Sequence, residues 1–175
     1  LPANITDEGG VIVSSSATKA NAPQVLVYID FICPACQQFE KEDGTKLQQM
    51  AAAGDITLEY RPIAILDRAS TSKYSSRALN AFACVADSKP ESAVPFLNKL
   101  MEEQPKEGTA GLTNAQLAEH AASVGATGLE QCAANGGFSG WTKATTDKAL
   151  GYGLTHTPFV VVNDVLWDGK SGLVS

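Results

Sequence analysis

Cys33 and Cys36 stand three positions apart in Phe-Ile-Cys-Pro-Ala-Cys-Gln-Gln-Phe-Glu, residues 31–40, with Pro34 and Ala35 between them. Two sulfurs so spaced can exchange between dithiol and disulfide, supply half of a metal site, or form a plain staple. Exchange runs through the thiolate, so the question is what would favour a negative sulfur here. Pro34 suits the first position of a helix, where its missing N–H has no intrahelical partner. With Cys33 at the N-cap, the free N–H groups and the dipole of the helix start face its sulfur and favour the thiolate. Cys36, one turn further in and more buried, can then resolve a mixed disulfide formed on an exposed Cys33. A structural zinc site needs four ligands, usually from two such pairs. The remaining cysteines, Cys84 and Cys132, stand alone, and the two histidines, His120 and His156, lack ligand spacing. A staple across so short a loop stabilises little by the chain-entropy argument. No metal and no cofactor are expected.

Elements must deliver these sulfurs. Residues 24–32, Gln-Val-Leu-Val-Tyr-Ile-Asp-Phe-Ile, are nearly all apolar, which predicts a strand buried on both faces. Behind the cysteines, Phe39, Leu47 and Met50 lie among Gln, Glu and Lys, which predicts a helix ended by Gly54 and bent at Gly44. A short strand within 9–16, closed by serines, is expected earlier, and a second core strand within 55–66, where Ile56, Leu58 and Tyr60 alternate before Pro62. From Ser70 to Tyr152 the pattern is helical. Tyr74, Ala78 and Phe82 lie four apart. Phe96, Leu97, Leu100 and Met101 form an apolar face on a helix whose start is obscured by Pro95. Thr113 and Gln116 form a capping box for a helix that stops at Gly125. A short helix over 128–135 and a weaker one over 138–153 follow. Strands are expected at Phe159–Val162 and Val165–Trp167, around a turn at Asn163-Asp164. The order is β-β-α-β, a helical block, then β-β, with the block inserted into a smaller α/β core.

The chain has 175 residues, 44% hydrophobic and 18% charged, with a formal net charge of −6. That describes a globular protein long enough to bury a core without disulfides. There is no basic run, so nucleic acid is not an expected partner. No apolar run approaches a membrane span. The opening Leu-Pro-Ala-Asn-Ile-Thr-Asp-Glu-Gly-Gly has no signal-peptide pattern. Four cysteines allow three connectivities. If Cys33 and Cys36 pair, Cys84 and Cys132 are left for each other. Such a second bridge points to an oxidising compartment.

Thr-His-Thr-Pro-Phe, residues 155–159, opens the last strand pair. Only about 5–6% of X–Pro bonds are cis, so base rates alone favour trans at Pro158. The strand Val25–Phe31, the Cys-Pro-Ala-Cys opening a helix, the helical block and residues 155–163 together resemble the DsbA-like branch of the thioredoxin superfamily, with actinobacterial members the best fit. The likeness runs over roughly residues 9–170. It implies a thioredoxin-like α/β fold with an inserted α-helical domain: a discontinuous core over 9–66 and 153–170, an insertion over 67–152, and a linker over 1–8. It reverses the reading of Pro158, implying a cis Thr157–Pro158 bond with the Thr157 backbone pairing with substrate near Cys33. It also implies a bacterial protein disulfide oxidoreductase outside the cytoplasm, secreted or held in the cell envelope by a segment outside this chain. Such an enzyme donates its Cys33–Cys36 disulfide to reduced or unfolded exported polypeptides. A quinone-linked membrane partner, DsbB- or VKOR-like, reoxidises it. The rivals are a reductase or isomerase of the same fold and a non-catalytic module in which the cysteines hold a metal or a bridge.

Three departures from the pattern stand out. DsbA has Pro-His between its cysteines, and Ala35 brings no imidazolium. Many relatives carry a buried carboxylate six residues before the first cysteine, and here that residue is Val27. Relatives usually end with a helix on the sheet, and residues 170–175 are too few for one. Loss of the imidazolium lowers the potential and loss of the carboxylate raises it, which gives an expectation of roughly −180 to −120 mV. Asp30 matches a common Asp of the branch and, with His156, is a candidate for tuning the thiolate; an exposed loop side chain is the plainer reading of His156. His120 reads as a surface residue. Phe31, Ile32 and Phe159 fit either an apolar lip around Cys33 or the core. Trp141 and Trp167 read as packing.

Overall fold

A computed structural model describes residues 1–13, 15 and 17–174. Its centre is a five-stranded sheet in the order β1-β3-β2-β4-β5. β2, Gln24–Ile29, lies in the middle, parallel to β3, Thr57–Pro62, and antiparallel to β4, Phe159–Val162. Val25, Val27 and Ile29 are fully buried, as an apolar run flanked on both sides requires. The short β1, Val11–Ile12, pairs antiparallel with β3, and β5, Val165–Leu166, with β4. Ser14 and Ser16, expected to help close β1, lie outside the described residues. Asn163 and Asp164 both adopt positive φ between β4 and β5, the backbone of a two-residue hairpin turn. Asn163 Oδ1 also accepts from Gln24 N–H at 2.9 Å, which ties that turn to the start of β2.

β2 is shorter than its apolar run. Phe31 and Ile32 are fully buried, yet they belong to a turn closed by Cys33 N–H donating to Asp30 O at 3.1 Å. The helix behind the cysteines is interrupted, as Gly44 led us to expect, though not by a simple bend. It runs as α1, Pro34–Phe39, one π turn over Glu40–Gly44, then α2, Thr45–Ala52. A side chain at Gly44 would collide with the Glu40 carboxylate, so glycine makes room for that acid inside the wider turn.

Between β3 and β4 lie five helices: α3 Tyr74–Ser88, α4 Ala93–Glu102, α5 Asn114–Ser123, α6 Glu130–Asn135 and α7 Ser139–Gly151. Tyr74, Ala78 and Phe82 of α3 are fully buried. Pro95 sits in the first turn of α4, where no intrahelical partner for its nitrogen is lost. Both halves of the Thr113–Gln116 capping box are formed. Cys84 of α3 and Cys132 of α6 are joined by a disulfide with S–S 2.00 Å. Asn80 braces that junction, donating to Cys132 O at 3.2 Å and accepting from Phe138 N–H at 2.8 Å. Residues 1–8, expected to be a linker, lie against the body. Ala3 N–H donates to Asp87 Oδ1, Thr6 Oγ1 to Glu59 Oε1, and Lys148 Nζ pairs with Glu8. Among the described residues no helix is long and apolar enough to cross a membrane.

Candidate active site

The β2–α1 junction presents both cysteines. Cys33 is the N-cap of α1 with extended backbone, φ −71° and ψ 116°, and Pro34 follows at the first helical position. Both cysteines are free thiols. The Cys36 N–H donates to Cys33 Sγ at 3.4 Å, and Cys33 Sγ–H donates to Thr157 O at 3.5 Å. The Thr157–Pro158 bond is cis. Thr157 and Pro158 thus lie beside Cys33 from the far end of the chain, at the start of β4. Cys33 is less open than an attacking residue was expected to be. It is 5% exposed against 0% for Cys36, so the order of exposure holds while the exposed sulfur does not.

The two thiols are pushed in opposite directions. Cys33 is lowered to about 6, first by its hydrogen bond with Cys36, then by the Thr157 side chain and by the Cys36 and Ala35 backbone, against the opposing effect of burial. Cys36 is pushed far up, first by burial and then by its hydrogen bond with Cys33 and the charge there. The free N–H groups at the start of α1 thus act on Cys33, as its N-cap position predicts.

Asp30 is fully buried beneath this turn. Its Oδ1 accepts from Ile32 N–H at 3.1 Å and Ser75 Oγ–H at 2.6 Å. Its Oδ2 accepts from Ile65 N–H at 2.9 Å and Leu66 N–H at 3.1 Å. Burial raises its pKa while these four donors oppose the shift. The Asp30 carboxylate therefore acts as a brace that locks the cysteine turn to the segment after β3 and to α3. Only its backbone is among the groups acting on a sulfur, that of Cys36.

Cys33 opens onto a groove of about 730 Å³, lined also by Leu66, Arg68, Leu150, His156 and Thr157. His156 is exposed, its Nδ1 is 3.0 Å from Thr155 Oγ1, and its ring packs on Phe159 at 5.4 Å. It shares the groove with Cys33 but is not among the groups that dominate the thiol's shift. Phe31 and Ile32 resolve to core rather than lip, with the Phe31 ring 5.8 Å from Phe82. Phe159 is half-buried against Tyr28 at 6.0 Å. Trp167 packs on Phe39 at 5.9 Å, and Trp141 is half-buried against the core. Among the described residues no three His, Cys, Asp or Glu side chains come together as a metal site.

Sequence reasoning missed two residues here. Glu40 is buried one turn beyond Cys36, its N–H donating to Cys36 O. Its Oε2 accepts from Tyr60 Oη–H at 2.9 Å, and burial first of all raises it to about 7. Tyr60 is the β3 partner of Val27, so a buried carboxylate reaches this layer from the helix although the strand carries none. Gln104, just beyond the end of α4, donates from Nε2 to Cys33 O at 2.9 Å and Phe31 O at 3.2 Å. Neither has a local signal beyond a polar residue type. A Glu four positions after Cys36 is the one hint available.

A sulfur held ready to ionise next to one held protonated is the working pair of a thiol–disulfide oxidoreductase, and comparison with known proteins agrees with that class. The thioredoxin family model matches residues 17–173. The chain belongs to the thioredoxin family, among its DsbA-like protein disulfide oxidoreductases. It is similar to reduced DsbA from Mycobacterium tuberculosis, with 32% identity over 91% of this chain and 85% of that one, and a TM-score of 0.79. It is similar also to the disulfide bond oxidoreductase DsbG of the same organism, at 33% identity, 91% and 80% coverage and a TM-score of 0.80. MdbA of Corynebacterium diphtheriae, at 21% identity, 94% and 86% coverage and a TM-score of 0.80, shares the fold. None of the curated protein sequences compared matches the chain.

Proposed function

We propose that this protein oxidises reduced, exported polypeptides by transferring to them the Cys33–Cys36 disulfide. The observation that carries the reading is the opposite perturbation of the two thiols. A substrate thiolate attacks Cys33 Sγ of the oxidised pair, the Cys33–Cys36 bond breaks, and Cys36 departs and takes up a proton. A second substrate thiolate attacks the substrate sulfur of the mixed disulfide, and Cys33 leaves as a thiolate. The substrate loses two electrons and gains a disulfide; the protein gains both electrons as a dithiol. Cys33 at about 6 is a good leaving group, which speeds release. Cys33 and Cys36 are the catalytic residues in this reading. Pro34, Ala35, Thr157 and Pro158 frame them, with the Thr157 backbone as the edge on which substrate pairs.

The dithiol is returned to disulfide by a membrane-embedded, quinone-linked partner of the DsbB or VKOR kind. The Cys84–Cys132 bridge supports an extracytoplasmic site of action. The core over 9–66 and 153–170 carries the chemistry, and the insertion over 67–152 covers it. The Cys33 value lies between those of thioredoxin, about 7, and DsbA, about 3.5. That moves the expected potential to the lower end of the earlier range, about −180 mV. Equilibration with glutathione, together with oxidation of a reduced, unfolded polypeptide, tests the reading. A potential near −270 mV with no oxidation would make the protein a reductase. Cys36→Ser is expected to accumulate mixed disulfides and Cys33→Ser to form none; the reverse pattern would overturn the roles.

A further inference from the structure

The turn that carries Cys33 is held from two sides, and only one of them is the core. From below, the Asp30 carboxylate accepts from Ile32 N–H, and Asp30 O accepts from Cys33 N–H. From the other side comes Gln104, two residues past the end of α4 in the helical insertion. Its single amide nitrogen carries two hydrogens and faces two carbonyls of the turn, Cys33 O at 2.9 Å and Phe31 O at 3.2 Å. Among the described residues it is the one protein donor to Phe31 O. Cys33 O already accepts from Cys36 N–H and Gln37 N–H, so Gln104 adds a third donor to that oxygen.

The placement of Gln104 is itself fixed. Gln37 of α1 donates to Met101 O at 2.8 Å, and Gln48 of α2 exchanges a reciprocal amide pair with Asn98 of α4, at 2.8 and 2.9 Å. Pro105 follows, which disfavours the helical backbone at Gln104 and turns the chain away from α4. The loop beyond is pinned to the segment between β3 and α3, with Gly108 N–H donating to Ala69 O and Thr71 N–H to Thr109 O. A half-buried glutamine held in this way meets the turn without reorganising.

We infer that Gln104 is a positioning residue for thiol–disulfide exchange, one through which the helical insertion sets the reactivity of Cys33. Two physical effects act in the same direction. Its hydrogen bonds draw negative charge from the Phe31 and Cys33 carbonyl oxygens of the turn that carries the reacting sulfur. They also keep Cys33 Sγ registered on the Cys36 N–H and on Thr157, the contacts that favour the thiolate. The inference rests on the oxidoreductase reading and assigns that chemistry a residue outside the thioredoxin-like core.

The test replaces Gln104 by Leu, which keeps bulk and removes both donors, and by Glu, which keeps shape and offers acceptors only. The Cys33 acid constant is read from thiolate absorbance and from the alkylation rate against pH, and the potential from glutathione equilibration. A hydrogen bond of ordinary worth predicts that the acid constant falls roughly three- to tenfold in both variants. Alkylation at pH 6 should slow and the pair should become less oxidising. Melting of the oxidised form reports any purely structural contribution. Lower melting temperatures with unmoved midpoints and potentials would overturn the inference, as would midpoints unchanged in both variants. If Gln104→Leu does not fold, the nearly isosteric Gln104→Glu carries the test. A wild-type protein that fails to oxidise a reduced polypeptide, with midpoints that still differ between wild type and variants, would overturn the oxidase reading while supporting the role of Gln104.

Discussion

The reduced protein should gain stability over its own oxidised form as pH rises from 5 to 8.5. The cause is Cys33. Unfolded, a cysteine titrates near 8.5; folded, Cys33 titrates at about 6. Below 6 the thiol is protonated in both states and contributes nothing. Between 6 and 8.5 the folded state has released a proton that the unfolded state keeps, so stability rises with pH and is lost again as pH falls through 6. The full shift would amount to about 3 kcal/mol. Cys33 faces an open groove, and solvent screening reduces this to about 2 kcal/mol. For a chain of this length that is roughly 4–8 °C in melting temperature. The oxidised form is the control, because it has no titrating active-site thiol, while Glu40 and Asp30 are present in both forms and cancel in the difference. Cys36 is pushed upward, so its opposing contribution starts only above 8.5. Paired thermal melts at half-unit steps of pH, with the Cys84–Cys132 bridge intact, measure the difference. A flat or falling difference between pH 6 and 8.5 would refute the account of the Cys33 thiolate.

Three further outcomes are expected. Replacing Cys84 and Cys132 together by Ala opens a loop spanning a separation of 48 residues, which should cost up to about 4 kcal/mol and roughly 8–16 °C, measured by calorimetry, with exchange by Cys33 retained. Glu40→Gln should stabilise the protein at pH 8 by up to about 3 kcal/mol and change little at pH 4. The folded carboxyl titrates at about 7, so ionisation above its ordinary value costs stability that the amide does not lose; equal effects of Glu40→Gln at both pH values in urea unfolding would contradict this. Asp30→Asn sets an amide N–H against backbone N–H groups of Ile32, Ile65 or Leu66 and should destabilise by about 2–3 kcal/mol. A variant as stable as the wild type would show that Asp30 is not the brace of the turn.

Much of the site was legible because its determinants are local. Pro34 after Cys33 marks a helix start, and the apolar run over 24–32 marks a central strand. The limits of such reading are physical as well. Phe31 and Ile32 prolong that run because they are buried, yet burial does not require extended backbone, and the turn at Asp30 ends β2 at Ile29. Glu40 looks like part of a polar helix face at 3.6 residues per turn. The π turn changes that spacing, so Phe39 and Glu40, though adjacent, both point inward. α7 reads as a weak helix because its buried face is mostly threonine, with Ala149 beside it. Thr142, Thr145 and Thr146 line it, and two of them spend their hydroxyls on carbonyls of the preceding turn. Gln104 reaches Phe31 across 73 residues of chain, and no local pattern encodes a contact of that range.

The burial of Cys84 has a consequence for how many electrons the folded molecule can hold. Four sulfurs could in principle store four electrons. Cys84 is 2% exposed within α3 while Cys132 of α6 is half-buried, so a soluble thiolate can approach the bridge only from the Cys132 side. Titration with a dithiol reductant should therefore fill Cys33 and Cys36 first, with the second pair entering more slowly through Cys132. One pair of sulfurs would then exchange readily while the packing of α3 against α6 holds the other back.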